Sequence, residues 1–405
     1  FIVLMGWLSI MASAQVLTGL DRLQQMNFEP LKGKRVGLIT NPTGVDRQLR
    51  AGIDILFEAS QLELVALYGP EHGVRGDVPA GELIDNQVDL RTGVPMFSLY
   101  GKTRKPTPEM LQGIDVLVYD IQDIGSRSYT YISTLGLAME AAAENGIAFM
   151  VLDRPNPLGG NKWEGPLVQD GFISFVSKFP IPYVHGFTVG ELARFLNEEG
   201  LLAGGLRCDL TVIEMQGWER SMDFLQTGLH WVQSSPHIPH AHSAWFYPVS
   251  GILGELSCVN IGVGYTLPFE IFGTDWLSDA DVLAQRLNGL NLPGIIFRPI
   301  HFRPFYTAAQ GTQMKGVQVH FTAFSAAPLS LLQFYVVQEM HRMHPEFRLF
   351  EQCDKGRFDM FDKVSGTDKV RRAFGRNYLV DDIRAIWYDD IPGFLKNAEK
   401  YFLYQ

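Results

Sequence analysis

The sequence is poor in cysteine, has no basic tract and contains no long apolar run, and each lack narrows what the chain can be. Its three cysteines, Cys208, Cys258 and Cys353, are far apart and odd in number among 405 residues. They make neither a disulfide framework nor a zinc-spacing motif, and three buried thiols are expected. A formal net charge of −10 without a basic cluster excludes nucleic acid as a partner. No stretch approaches the ~18 uninterrupted apolar residues of a membrane-spanning helix, so no stable membrane insertion is expected. No G-x-G-x-x-G follows the first strand pattern, where Asn41-Pro42-Thr43-Gly44-Val45-Asp46 stands instead, so a dinucleotide has no seat. H-E-x-x-H and related metal patterns are also missing. Neither a metal nor any other cofactor is expected.

What is present is ordinary for a soluble globular enzyme, with 46% hydrophobic and 19% charged residues. The first eleven residues are apolar and lead to Ala12-Ser13-Ala14, the small-residue pattern of a signal-peptidase site. Residues 1–14 are therefore expected to be a signal-peptide remnant and the protein exported, to the periplasm or beyond. Absence of cysteine from the first 20 residues argues against a lipid anchor. From 34 to 152, short apolar runs alternate with helical patterns, the signature of a parallel sheet with helices on both faces. A helix over 130–145 stops at Gly146, and another over 188–199 opens with the capping box Thr188-x-x-Glu191. The fold class is α/β: a Rossmann-like domain over 15–235, then a smaller α+β domain over 236–405, with the boundary at a proline- and histidine-rich segment.

Chemistry gathers where the strands should end. The run Leu64-Val65-Ala66-Leu67 leads into Tyr68-Gly69-Pro70-Glu71-His72-Gly73-Val74-Arg75, which packs a carboxylate, an imidazole and a guanidinium into one loop. Two later strands lead into Asp120-Ile121-Gln122-Asp123-Ile124-Gly125-Ser126-Arg127 and into Asp153-Arg154-Pro155-Asn156. Each loop alone could simply satisfy exposed backbone groups. Three at one edge of a parallel sheet converge where such sheets bind ligands. Glu164 and His185 extend the set. Carboxylates beside arginines and aromatics suit sugars, since they supply acid, base or nucleophile. Glu255, in an apolar and glycine-rich setting, is a second candidate acid or a structural carboxylate. The segment His237-Ile238-Pro239-His240-Ala241-His242 invites a metal reading, but its proline prevents helical presentation. Hydrogen bonding at the domain junction is expected instead.

Taken in order, Gly37-Leu38-Ile39-Thr40-Asn41-Pro42-Thr43-Gly44, Gly69-Pro70-Glu71-His72-Gly73, Asp120-Ile121-Gln122-Asp123-Ile124-Gly125, Asp153-Arg154-Pro155-Asn156-Pro157 and Glu164-Gly165-Pro166 resemble one family. It is the exo-acting β-N-acetylmuramidases of peptidoglycan turnover, long carried as a domain of unknown function. The resemblance implies an active site in the cleft between the two domains and release of N-acetylmuramic acid from the non-reducing end of peptidoglycan fragments. It puts Glu71 at the catalytic position, as acid/base; on the reading of the residues, Glu255 or another cleft carboxylate would assist. The strand-end clusters supply the candidate substrate-binding set: Asn41, His72, Arg75, Asp120, Asp123, Arg127, Asp153, Arg154, Asn156, Glu164 and His185. Arg75, Arg127 or Arg154 would meet the sugar's lactyl carboxylate. Downstream the chain departs from the pattern, with Ser235-Pro236-His237-Ile238-Pro239 where members tend to have Ser-Pro-Asn-X-Pro, and Glu255-Leu256-Ser257-Cys258 where they tend to have Glu-Gly-Thr-Asn. A rival reading is a non-catalytic periplasmic binder of muropeptides or sugars. The oligomeric state, and the choice between retention, inversion and substrate assistance, depend on distances that a sequence does not carry.

Overall fold

A computed structural model describes residues 15–76 and 87–405, so the expected signal remnant at 1–14 lies outside the described residues. Seven strands build the main sheet: β1 (Arg35–Thr40), β2 (Glu63–Gly69), β3 (Gln87–Val88), β4 (Pro95–Ser98), β5 (Val116–Asp120), β6 (Ala148–Leu152) and β7 (Leu210–Ile213). Their order is β3-β4-β2-β1-β5-β6-β7, and only β3 runs antiparallel to its neighbour.

Alternation along the strands explains why the sheet is buried on both faces. Val36, Leu38, Val116 and Val118 join one core with α1 (Gly19–Gln25) and α2 (Gly52–Glu58). Ile39, Leu117 and Tyr119 point the other way, against α3 (Tyr131–Asn145) and α4 (Val189–Glu198). Successive side chains on a strand face opposite ways, so each apolar run feeds both layers. The expected helix signals act as read: Gly146 closes α3 with φ +63°, and Thr188 with Glu191 makes the capping box of α4.

After the junction, α5 (Ala241–Gly254) leads into a three-stranded antiparallel sheet of β8 (Ile271–Thr274), β9 (Ile295–Phe302) and β10 (Met314–Phe321), in the order β8-β10-β9. Helices α6 (Ala280–Gly289) and α7 (Leu332–Met343) and a run of short helices complete this α+β part. Its core takes in Ile124, Leu158, Tyr183 and Val184 from the first domain. Conversely, Phe394, Ala398 and Tyr401 are buried in the first domain's core. The two parts are packed into each other rather than hinged.

The cysteine expectation needs correcting. Cys258 and Cys353 form a disulfide across 95 residues of chain, with Cα atoms 5.6 Å apart, and only Cys208 is a free buried thiol. Their partnership depends on α5 and the short helix Leu349–Gln352 meeting in space, which the spacing does not reveal.

Candidate active site

The parallel register lays the strand ends side by side. Thr40 pairs with Asp120, Ile39 with Tyr68, and Tyr119 with Val151, so the loops after β1, β2, β5 and β6 leave one edge. In the first of them, Asn41 Oδ1 accepts from the Thr43 N–H at 3.0 Å and from its hydroxyl. Thr43 in turn accepts the Gln122 N–H at 2.9 Å, which ties the β1 loop to the β5 loop.

Glu71 is presented by a tight turn. The Gly73 N–H returns to the Pro70 carbonyl at 3.0 Å, and His72 stands at the third position with φ +74°. A type II turn needs that sign, and it normally recruits glycine or asparagine. A buried histidine there is a local strain of the kind that gathers at functional sites. Glu71 and His72 face a cavity of about 170 Å³, walled by Ser128, Tyr129, Tyr131, Tyr247 and His237.

The tyrosines are locked. Tyr129 and Tyr131 meet edge to face at 4.8 Å, and Tyr129 and Tyr247 at 5.5 Å. Tyr129 donates to Ser234 Oγ at 2.8 Å, Tyr131 donates to the Ser234 carbonyl, and Ser128 Oγ lies 3.2 Å from the Tyr247 hydroxyl. Burial raises the Tyr129 hydroxyl to about 12 and those of Tyr131 and Tyr247 well above their ordinary value, so all three stay neutral. Tyr100 also interacts with Glu71; burial and then that carboxylate raise its hydroxyl to about 12. The cavity thus offers one carboxylate among neutral hydroxyls and aromatic faces.

Phe269 and Tyr247 also line a neighbouring groove of about 750 Å³ that contains Glu255, at the end of α5. Burial raises the Glu255 carboxyl above the usual carboxylate range, while nearby Arg357 opposes the rise.

The other sequence-derived residues share the sheet edge but sit behind or beside this cavity. Arg154 grips Asp120 with two bonds, at 2.6 and 2.9 Å, and both side chains are buried. The crevice next to Arg154 encloses about 20 Å³, room for a water and not for a sugar. Asp153 accepts from Thr188 Oγ1, from the N–H groups of Arg154 and Gly190, and from Tyr404. Arg127 is fully buried and donates to Ser177 Oγ and to the carbonyls of Pro166, Ile181 and Val364. None of these is a carboxylate, and burial lowers its pKa to about 9, which leaves it charged at neutral pH. Arg75 pairs with Asp89 at 2.9 Å and Asp54 at 3.2 Å. Asn156 donates to the carbonyls of His185 and Phe187. His185 Nε2 lies 3.5 Å from Asp123 Oδ2, both buried. Glu164 accepts the N–H groups of Leu329 and Ser330, where the chain enters α7.

Tyr131, Tyr247 and Tyr100 did not stand out in the sequence. The one available signal was Ser128-Tyr129-Thr130-Tyr131, polar and aromatic residues at the start of a helix after a strand-end loop. Of the histidines at the junction, His237 hydrogen-bonds Tyr306 at 2.7 Å and His242 meets the Trp245 ring edge on. Among the described residues, no group of three or more His, Cys, Asp or Glu side chains could hold a metal ion.

A two-domain α/β protein with a carboxylate in a tyrosine-walled cavity, beside a longer groove, has the build of a protein acting on a small polar ligand. Comparison with known proteins narrows this. The N-terminal part of the exo-beta-N-acetylmuramidase NamZ family matches residues 36–242, and its C-terminal part matches residues 245–404. The chain belongs to this family. It is 44% identical over 393 residues to the peptidoglycan beta-N-acetylmuramidase NamZ of Bacillus subtilis (strain 168), spanning 96% of this chain and 92% of that protein. A crystal structure of a DUF1343 family protein from Bacteroides fragilis NCTC 9343 superposes with TM-score 0.93 at 57% identity, covering 96% of this chain and 99% of that one. A second DUF1343 structure from the same strain gives 0.75 at 27% identity, with coverage of 97% and 99%.

Proposed function

We propose that this protein is an exo-β-N-acetylmuramidase, a glycoside hydrolase that removes N-acetylmuramic acid from the non-reducing end of peptidoglycan fragments. The observation that carries the reading is Glu71, held on a strained turn and aimed into a cavity of neutral hydroxyls in a chain of this family. Protonation of the leaving oxygen, or activation of water, needs one positioned carboxyl group at the bond. Aromatic walls pack on the apolar face of a pyranose ring.

The lactyl carboxylate is better served by the amino end of α3 than by the three arginines first considered. Arg75, Arg127 and Arg154 are engaged within the protein. Ser128, Thr130 and Tyr131 at the start of α3 line the cavity, and Thr130 makes no side-chain cap to the first turn. Uncapped N–H groups at a helix start favour an anion. Export is part of the same reading; the Cys258–Cys353 disulfide supports it, since such bonds persist in oxidising compartments.

The test is incubation of the purified protein with a chromogenic β-N-acetylmuraminide and with the matching N-acetylglucosaminide, which lacks the lactyl group. Release from the first and not the second is expected. The reverse result would remove the muramidase assignment.

A further inference from the structure

Lys162 carries a charge that no carboxylate answers. Its half-buried ammonium donates to the carbonyls of Ala327 at 2.9 Å and Ser325 at 3.2 Å, and it lies 5.0 Å from the centre of the Phe324 ring. Among the described residues, no carboxylate lies within ion-pair distance of it. Burial lowers its pKa, and Glu164 opposes that shift from farther away. Desolvation disfavours the charged form of a lysine, so an anion set beside Lys162 would be favoured.

This lysine lines a hollow of about 410 Å³ at the junction of the two domains, which shares no wall residue with the Glu71 cavity or the Glu255 groove. That volume lies within the range of small-ligand sites. The first domain supplies Lys162, Trp163 and Glu164. The second supplies Tyr335 from α7, with Arg384 and Tyr388 from the short helix Asp381–Tyr388.

The charges and donors left over select the occupant. Glu164 is the one carboxylate on these walls, and its oxygens are filled by the N–H groups of Leu329 and Ser330 and by the Ser330 hydroxyl. Arg384 spends Nε and Nη2 on Asp381 and on the Tyr335 hydroxyl, which leaves Nη1. The Asp381 side chain is 85% exposed, so solvent screens that pair. Tyr388 has no hydrogen-bond partner among the described residues. Burial, then Glu164 and Tyr335, raise its pKa, so its hydroxyl remains a neutral donor. Two cations and a free hydroxyl beside the rings of Trp163, Tyr335 and Tyr388 suit a ring that carries a carboxylate.

We infer that this hollow is a second, non-catalytic site for a single sugar ring bearing a carboxylate. The choice of sugar rests on the proposed function, whose product, N-acetylmuramic acid, is such a molecule; the charge and ring chemistry of the site does not. Calorimetry of the full chain with N-acetylmuramic acid should resolve a binding component that Lys162→Met with Arg384→Ala weakens by about tenfold or more. N-acetylglucosamine, the same ring without the lactyl carboxylate, should lack that component. The double variant should cleave the chromogenic muraminide within about twofold of the parent in kcat/KM, since neither residue lines the Glu71 cavity. Arg384 is exposed, so Arg384→Ala alone carries the binding test if the double variant does not fold. Equal binding of N-acetylmuramic acid by parent and variant would overturn the inference. So would N-acetylglucosamine binding as tightly in this component as N-acetylmuramic acid. A parent that shows the Lys162-dependent component but cleaves no muraminide would sink the proposed function while leaving this site in place.

Discussion

Glu71 and Arg127 show how differently two charged residues from neighbouring strand-end loops can be used. Arg127 is sealed from water and spends its fork on three carbonyls and a hydroxyl, one of the carbonyls across the domain junction at Val364. Glu71 stands in a cavity wall, among hydroxyls that cannot ionise near neutral pH. Only the second can move a proton to a ligand. Glu71→Gln keeps the shape and removes the titrating group. Loss of general acid–base help costs ~10²–10⁴ in rate, so turnover on a muramyl disaccharide should collapse while ligand affinity changes little. A substrate with a very good leaving group, such as dinitrophenolate, should restore part of the rate if bond cleavage limits it. Turnover of Glu71→Gln within a few-fold of the parent would take Glu71 out of the mechanism.

At the scale of elements, the sequence was legible where a short-range rule decides. Alternating apolar runs gave the parallel strands, Gly146 and Thr188 gave helix boundaries, and a common sheet edge for Glu71, Asp120 and Asp153 followed from topology. Which side chains at that edge face a ligand was not legible. Asp120 and Arg154 look as reactive as Glu71 in sequence, yet they neutralise each other behind the loops. The tyrosine walls come from α3 and α5, more than 100 residues apart, and no local pattern links them. The disulfide is the same kind of long-range fact. Its loop is long, so in the chain-entropy model removal costs roughly 4–5 kcal/mol. Replacing Cys258 and Cys353 together by alanine should lower the urea midpoint and raise the m-value somewhat, since the unfolded chain without the cross-link exposes more surface. An unchanged midpoint would show that the packing of α5 already fixes this region.

For the molecule as a whole, the last residues described fasten the second domain back onto the first. The Arg220 guanidinium lies 3.6 Å above the Phe402 ring, the Arg220 backbone N–H donates to the Gln405 carbonyl at 2.8 Å, and the Leu403 N–H donates to Glu191. Tyr404 reaches Asp153 at the end of β6 and also accepts the Met215 N–H at 2.9 Å. This seam makes the assembly sensitive to pH in a definite direction. Burial pushes the Asp153 carboxyl up from its ordinary 3.8 to about 7, outweighing the hydrogen bonds from Tyr404, Gly190 and Thr188 that favour the charged form. Between those two values the unfolded chain has released this proton while the native protein still holds it. The native state then binds more protons, so the stability Asp153 contributes is full below about pH 4 and is lost as pH rises towards 7, by at most about 1.4 kcal/mol per unit. Asp153→Asn does not titrate, which isolates the effect from every other carboxyl group. Urea unfolding of parent and variant from pH 4 to pH 8 should show the parent's stability relative to the variant declining through this window and levelling above 7. A difference that stays constant across the window would mean that Asp153 is ionised throughout, its four donors having overcome burial. A difference that grows with pH would place its folded pKa below 3.8, with the seam held by a charge instead of a proton.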